Sequence, residues 1–187
     1  MKKSIFFTLA VLFIVGVSAS AQQPTFMKGD NIASIGIGLV KTGYYGYGYG
    51  YANSGRSSMP LIFASYERCI WDNMFNEQSS LGVGGIFGFS STKYANLYKY
   101  SDIFVGVRGV FHYALVDKLD TYGGLGFGLA FSSFKYIDTS YKHSGSGSRF
   151  YPLFSVGARY YFSDAFAAFA ELGYSYTVFN LGASFKF

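Results

Sequence analysis

The sequence is poor in the residues that build disulfide frameworks, metal centres and most catalytic sites. Its 187 residues include one cysteine, two histidines and three prolines, and charged residues make up 13% of the chain. A single cysteine, Cys69, excludes an intramolecular disulfide. The histidines and the cysteine lie far apart, and no carboxylate cluster has ligand spacing, so we predict no bound metal. We expect no other cofactor and no nucleic-acid partner.

Long apolar segments are also scarce, and the one that exists lies at the N-terminus. Lys2 and Lys3 precede an almost wholly apolar run over 5–17, and small residues follow at Ala19-Ser20-Ala21. The run is too short to cross a bilayer, which takes about 20 helical residues, and the order of segments is typical of a secretory signal. We predict a signal peptide over residues 1–21 and one exported domain over 22–187. A retained N-terminal anchor is the alternative.

The strongest pattern in the rest of the chain is alternation between two kinds of side chain. Between Ile103 and Leu115 the odd positions are mostly large and apolar, while the even positions include Gly106, Arg108 and His112. A strand places these two sets on opposite faces, whereas a helix would scatter them. The same period predicts eight strands of about ten residues, the length of a tilted membrane-spanning strand. They are 31–40, 61–70, 80–89, 103–115, 121–131, 150–162, 165–174 and 177–187.

The two faces of these strands differ in side-chain size. One face carries large apolar residues such as Leu125, Phe127 and Leu129, and the other is rich in glycine, as at Gly124 and Gly126. In a soluble sandwich the small face would make a poor core. In a membrane barrel the large face meets lipid and the small face lines a narrow interior. We therefore predict an all-β fold, an eight-stranded antiparallel up-and-down transmembrane β-barrel preceded by a cleaved signal peptide.

Connections between the predicted strands alternate between long and short, so long loops share one rim and short turns share the other. The long-loop rim is basic, which suits a leaflet whose lipid headgroups carry phosphates. The short-turn rim is acidic. To the long-loop rim we assign Lys41, Arg56, Lys93, Lys99, Lys135, Lys142 and Arg149 with Asp102 and Asp138, and to the short-turn rim Asp72, Glu77, Asp117, Asp120 and Asp164 with Lys118.

The last strand ends in an aromatic residue at the C-terminus of the chain. One face of this strand carries Phe179, Leu181, Ala183, Phe185 and Phe187. This arrangement resembles the C-terminal signal by which the outer-membrane assembly machinery recognises its substrates. An apolar last strand of a soluble protein is the alternative interpretation.

Together the signal peptide, the eight amphipathic strands, the glycine-rich interior and the terminal Phe187 make the chain similar to the small eight-stranded outer-membrane barrels. These include the OmpA barrel and the OmpX-like and OmpW-like proteins, and the pattern most resembles the outer membrane protein β-barrel domain family of Bacteroidetes. The resemblance implies the outer membrane of a Gram-negative bacterium. It also implies contact with outer-membrane lipids, including lipopolysaccharide, and with the assembly machinery during biogenesis.

Several charged residues occupy the small face and are predicted to point into the barrel. They are Arg108, His112, Arg159 and Glu171, with Asn180 and Glu67 nearby. A three-residue turn at 164–166 would place Arg159 opposite Glu171, and a two-residue turn at 175–176 would place Asn180 opposite Glu171. Charges in a narrow interior must pair, because an isolated buried charge is unfavourable. A structural network is the main hypothesis, and a gate or proton path is the alternative.

For function, the pattern favours a structural or surface-binding role without catalysis and without a wide pore. Eight strands leave an interior that side chains fill. The tyrosines of the first long loop, Tyr45, Tyr47, Tyr49 and Tyr51, are candidates for binding an extracellular glycan or protein. A narrow porin-like channel for small solutes is one alternative. An outer-leaflet lipid-modifying enzyme is another, with His143 close to Ser144, Ser146 and Asp138.

Overall fold

The computed structural model describes residues 25–42, 56–94, 98–136 and 144–187. These residues form nine strands joined by turns. The strands are β1 Asn31–Lys41, β2 Arg56–Ser58, β3 Leu61–Asp72, β4 Ser79–Tyr94, β5 Tyr98–Val116, β6 Leu119–Tyr136, β7 Ser144–Tyr161, β8 Phe166–Tyr174 and β9 Thr177–Lys186. Within the described ranges no helix is long and apolar enough to cross a membrane.

The strands form one closed antiparallel sheet. Each long strand pairs with its neighbours in the chain, and β1 pairs with both β3 and β9, which closes the ring. The short β2 pairs with the far end of β4 and continues the path of β3 beyond Pro60. Pro60 interrupts the strand because proline has no amide hydrogen for the ladder. The barrel therefore has eight strand positions, and the predicted fold class is confirmed. The predicted signal peptide, residues 1–21, lies outside the described residues.

The predicted division between the two faces holds around the barrel. Leu125 and Val156 point outward and are 64% and 65% exposed, while Phe104 and Tyr151 point inward and are 2% and 3% exposed. Glycine on the inner face makes room for these rings. A Cβ atom at Gly128 would lie 2.6 Å from the ring of Phe104. The small inner face is thus the space that large side chains from other strands occupy.

Strand ends at the long-loop rim differ from the prediction. The connection predicted between Phe89 and Ile103 is mostly paired strand, and so is the one predicted between Phe131 and Phe150. The apolar alternation stops at these residues because the hairpins leave the apolar belt, and the outward side chains are then serine and lysine. Backbone pairing continues nonetheless. The β4–β5 and β6–β7 hairpins therefore extend past the belt.

The short turns at the other rim agree better with the sequence. Between β5 and β6 the chain reverses at Asp117 and Lys118, and Lys118 adopts a φ of 63°, as tight hairpins require. Between β7 and β8 the turn spans 162–165, which is longer than predicted. The backbone amide of Phe166 donates to the Ser163 hydroxyl across 3.1 Å in this turn.

Candidate functional site

The barrel interior is filled by side chains in layers, and β5 contributes to most of them. From the long-loop rim downward, its inward residues include Asp102, Phe104, Arg108 and His112. Asp102 belongs to a polar layer, Phe104 to an apolar layer, and Arg108 and His112 to a charged layer. Side chains from other strands complete each layer.

His112 lies at the centre of the deeper part of the charged layer. Its Nδ1 is 2.9 Å from an Asp120 carboxylate oxygen, and its Nε2 contacts a Glu67 carboxylate oxygen. An ionised carboxylate only accepts hydrogen bonds, so both contacts are satisfied when both ring nitrogens carry hydrogen. Arg159 donates from Nη1 to the same Asp120 oxygen across 3.0 Å. Two cations then balance two carboxylates, and the group is neutral as a whole.

Arg108 and Glu171 form a second group next to the first. The Arg108 Nη1 donates to Glu171 Oε2 across 2.6 Å, and both side chains are more than nine-tenths buried. Asn180 donates from Nδ2 to the other Glu171 oxygen across 3.2 Å, and the Thr177 hydroxyl donates to the Asn180 carbonyl oxygen. This pair is also neutral, as a buried ion pair must be to avoid an uncompensated charge.

The structure places all five residues predicted for the interior, Arg108, His112, Arg159, Glu171 and Asn180, inside the barrel. Asn180 lies opposite Glu171 as predicted. The predicted pairing of Arg159 with Glu171 is wrong, because Arg159 lies opposite Phe169. The turn between β7 and β8 lies earlier in the chain than predicted, at 162–165, and the register of these two strands differs by two residues from the prediction. Arg159 instead bonds to Asp120, its direct partner across β6 and β7.

Sequence reasoning misplaced two carboxylates. Asp120 and Asp102 were assigned to opposite rims, but they are buried in the interior, 0% and 3% exposed. Both are in phase with inward neighbours, Asp120 with Tyr122 and Asp102 with Phe104. The alternation therefore contained the signal that could have placed them. Their position close to predicted strand ends obscured it.

Phe26 was missed as well, and the strand pattern contains no signal for it because it precedes β1. Its side chain is 1% exposed and packs with Ile32 and Cys69. Its ring centroid lies 4.6 Å from that of His112. The segment before β1 therefore covers the charged layer from the short-turn rim.

Above the charged layer the interior is apolar. Phe63, Phe104, Leu153 and Phe169 meet there and are buried with their neighbours in one cluster. Tyr176, in the turn between β8 and β9, closes this cluster from above.

Tyr176 also connects the apolar layer to the polar layer near the long-loop rim. Its hydroxyl donates to Asp102 across 2.8 Å, and Ser132 donates to the other Asp102 oxygen across 2.6 Å. Burial, together with the hydrogen bond to the Asp102 carboxylate, raises the pKa of Tyr176, so its hydroxyl keeps the hydrogen that it donates. The polar layer is thereby tied to both hairpins and to the β8–β9 turn.

The remaining predicted residues lie on the outer surface or outside the described ranges. The residues of the predicted C-terminal signal share the outward face of β9, where Phe185 and Phe187 are 40% and 61% exposed. Their recognition by assembly machinery stays a prediction. The candidate binding residues Tyr45, Tyr47, Tyr49 and Tyr51, and also His143, lie outside the described residues. In the described part of the chain, no group of histidine, cysteine and carboxylate side chains could hold a metal ion.

A closed eight-stranded barrel with an apolar outer belt and a filled interior defines a class of fold, that of the small outer-membrane β-barrels. No protein-family model and no curated protein sequence matches the chain. Comparison with solved structures gives several matches, and these agree with the class.

The chain is similar to two crystal structures of Ail, the attachment invasion locus protein of Yersinia pestis. One, in complex with the heparin analogue sucrose octasulfate, has a TM-score of 0.56 at 17% identity, over 86% of this chain and 100% of Ail. The other has a TM-score of 0.54 at 20% identity, over the same shares of both chains. The outer membrane protein OprG of Pseudomonas aeruginosa has a TM-score of 0.50 at 10% identity, over 88% of this chain and 99% of OprG. The likeness confirms the fold that the sequence resemblance implied. The more specific assignment to a Bacteroidetes-type family stays a prediction.

Proposed function

We propose that this chain is an integral protein of the outer membrane of a Gram-negative bacterium, where its long hairpins bind ligands at the cell surface. The observation that carries this proposal is the contrast between the interior and the hairpins. The interior is filled by paired charges and by an apolar layer, while β4–β5 and β6–β7 continue beyond the apolar belt and carry exposed cations. Chemistry that is available to a solute therefore lies on the hairpins.

The exposed cations favour an anionic ligand. Lys93, Lys99 and Lys135 are exposed on the hairpins, and a surface of one sign attracts ligands of the opposite sign. Ail, which has the same fold, was crystallised with a sulfated sugar. We infer that an extracellular glycan bearing sulfate or carboxylate groups is a suitable ligand class for this chain.

A binding measurement tests this proposal. The protein is reconstituted in phosphatidylcholine nanodiscs and passed over heparin-coated and neutral dextran surfaces. We expect retention on heparin alone, weakening as salt is raised, because exposed charges are screened within about 10 Å at 0.1 M salt. Replacement of residues 134–145 by Asn-Gly, which joins the paired Ser133 and Ser146, should weaken retention by about tenfold, the equivalent of about 1.4 kcal/mol.

The control removes two cations from the opposite rim, as Lys28→Gln with Lys118→Asn. The trimmed segment contains Lys135, Lys142 and Asp138, so the control loses at least as much positive charge as the trimmed variant. This control should bind heparin as the wild type does. Equal binding by the trimmed hairpin, or wild-type retention no greater than that of empty nanodiscs, would contradict surface binding by the hairpins.

The two alternatives have less support. The apolar layer that contains Phe104 and Phe169 crosses the interior, which disfavours a channel for small solutes. We propose no catalytic activity. A lipid-modifying enzyme built on His143 would predict a change in lipid A composition in cells carrying His143→Ala, and we expect none.

A further inference from the structure

The outward face of β4, β5 and β6 changes in an ordered way toward the long-loop rim. Residues that pair directly across the three strands form transverse rows, and successive rows lie two residues apart along each strand. The first row is apolar, the second is made of hydroxyls and the third is cationic. The rows are Phe89–Ile103–Phe131, Ser91–Ser101–Ser133 and Lys93–Lys99–Lys135.

The cationic row places three like charges side by side. Directly opposed residues of antiparallel strands have Cβ atoms about 4.5–5.5 Å apart, and like charges at this spacing destabilise a sheet. The row continues to Ser57 beyond Lys93 and to Ser144 beyond Lys135, so it contains no carboxylate. All three lysines are exposed, and none takes part in an ion pair among the described residues. An external anion would offset their repulsion.

An open groove of about 450 Å³ lies below the lysines on the same outer surface. Ile103 and Phe131 form its apolar end, and Ser101, Ser133 and Ser146 supply hydroxyl groups next to them. The groove thus offers an apolar wall, hydrogen-bonding groups and cations in that order. We call the surface formed by the groove and the three lysines the lysine–serine groove.

The depth of the lysine–serine groove suits a lipid headgroup. Four residues separate Phe89 from Lys93, about 13 Å along a strand, and a strand tilt of about 40° reduces this to about 10 Å along the membrane normal. The headgroup layer begins where the apolar belt ends and is roughly 5–7 Å thick on each side of the bilayer. The serine row, at half this height, lies within the layer, and the lysine row lies a few ångströms beyond it. Lysine side chains are long enough to extend their ammonium groups back toward such an interface.

We propose that the lysine–serine groove is a lateral binding site for a phosphate-bearing lipid of the outer leaflet. The phosphate contacts the three lysines, the hydroxyl groups of the headgroup bond to the serines, and an acyl chain lies on Phe131 and Ile103. The groove opens sideways from the barrel wall and adjoins the apolar belt, so a ligand with an acyl chain can occupy both. The proposal rests on the membrane location proposed above, but it does not require any soluble ligand.

Competitive lipid retention tests the site. The protein is purified in mixed micelles containing equal amounts of lipid A with its phosphates and the same glycolipid without them, and bound lipids are counted by native mass spectrometry. The wild-type protein should retain about ten times more of the phosphorylated lipid than of the lipid without phosphates, since charge-assisted contacts to phosphate are strong. Lys93→Gln/Lys99→Gln/Lys135→Gln should bring this preference close to parity.

Two further variants separate the site from general charge. Replacing the same three lysines by arginine keeps the cations and should keep the preference. Arg149→Gln removes one cation from the same rim, but Arg149 lies opposite the inward-facing Ala130, so the preference should persist. The preference for the phosphorylated lipid should fall in Lys99→Gln, which also removes a single cation but removes it from the centre of the lysine row. Heat-modifiable gel migration shows that each variant is folded.

The proposal is overturned if the glutamine triple variant keeps the wild-type preference, or if wild type retains both lipids alike. Equimolar glucosamine 1-phosphate should not displace the lipid, because it lacks acyl chains. Displacement by it would also overturn the assignment to a membrane lipid. Heparin retention is measured separately, on the protein in phosphatidylcholine nanodiscs, so loss of glycan binding and loss of lipid preference can be told apart.

Discussion

Glu171→Ala is expected to destabilise the barrel by about 3–5 kcal/mol, because it leaves Arg108 buried without its partner. The two side chains meet at 2.6 Å, and each is less than one-tenth exposed. Arginine stays charged at any pH at which the protein folds, so the unpaired charge cannot be neutralised by loss of a proton. Asn180 also loses an acceptor. Urea unfolding in lipid vesicles, followed by tryptophan fluorescence of Trp71, measures the change.

The matched control is Glu77→Ala, which makes the same substitution at an exposed turn and should change the free energy of unfolding by less than about 0.5 kcal/mol. Glu171→Gln keeps an acceptor for Asn180 but removes the charge. Its loss of stability should lie between those of Glu171→Ala and Glu77→Ala. Equal stability of Glu171→Ala and Glu77→Ala would show that the interior charges are not paired as described.

Phe104→Ala is expected to destabilise the protein by about 3–5 kcal/mol and to make the barrel leak ions. Phe104 is 2% exposed, and its ring contacts those of Tyr151 and Tyr176. Truncation of a buried phenylalanine leaves a cavity in addition to the lost transfer free energy. Here the cavity would interrupt the apolar layer between two polar layers, so water and small ions could enter it from both sides.

Phe127→Ala is the control for Phe104→Ala. Phe127 lies on the neighbouring strand β6, faces outward and is 56% exposed, so its truncation removes contacts with lipid and opens no cavity in the interior. Its loss of stability should be smaller, and vesicles containing it should stay impermeable. Equal dye or ion release from vesicles carrying either variant would contradict a sealing role for the apolar layer.

Much of the fold followed from the sequence because each membrane-spanning strand repeats one physical rule. Lipid requires large apolar residues on one face, and a narrow barrel requires small ones on the other. This rule located all eight strand positions from alternation alone. The rule does not apply to the hairpins beyond Phe89 and Phe131, where the outward face has left the hydrocarbon of the bilayer and backbone pairing continues the strands.

The interior network could be predicted only in part. Alternation shows which way a side chain points, so Arg108, His112, Arg159, Glu171 and Asn180 were placed inside. Which residues pair depends on strand register, and register depends on turn length. Because the turn between β7 and β8 lies at 162–165 and not at 164–166, Arg159 is paired with Phe169 on β8. Its bond to Asp120 depends on the register between β6 and β7.

The alternation of side chains along the strands could not predict that Phe26 covers the interior. It comes from an irregular segment that no periodicity describes, and it closes the short-turn side of the barrel beneath His112. The row of three lysines illustrates the same limit at the other rim. Each lysine is visible in the sequence, but their adjacency is a consequence of register across three strands.

A barrel that is filled, and that acts through its outer surface, should conduct no ions. Planar-bilayer recording of the purified wild-type protein measures this conductance, with Phe104→Ala compared at the same voltage and salt. We expect no current steps from the wild-type protein at any concentration at which it inserts into the bilayer. Reproducible, ohmic unit steps in conductance from wild type would contradict this expectation.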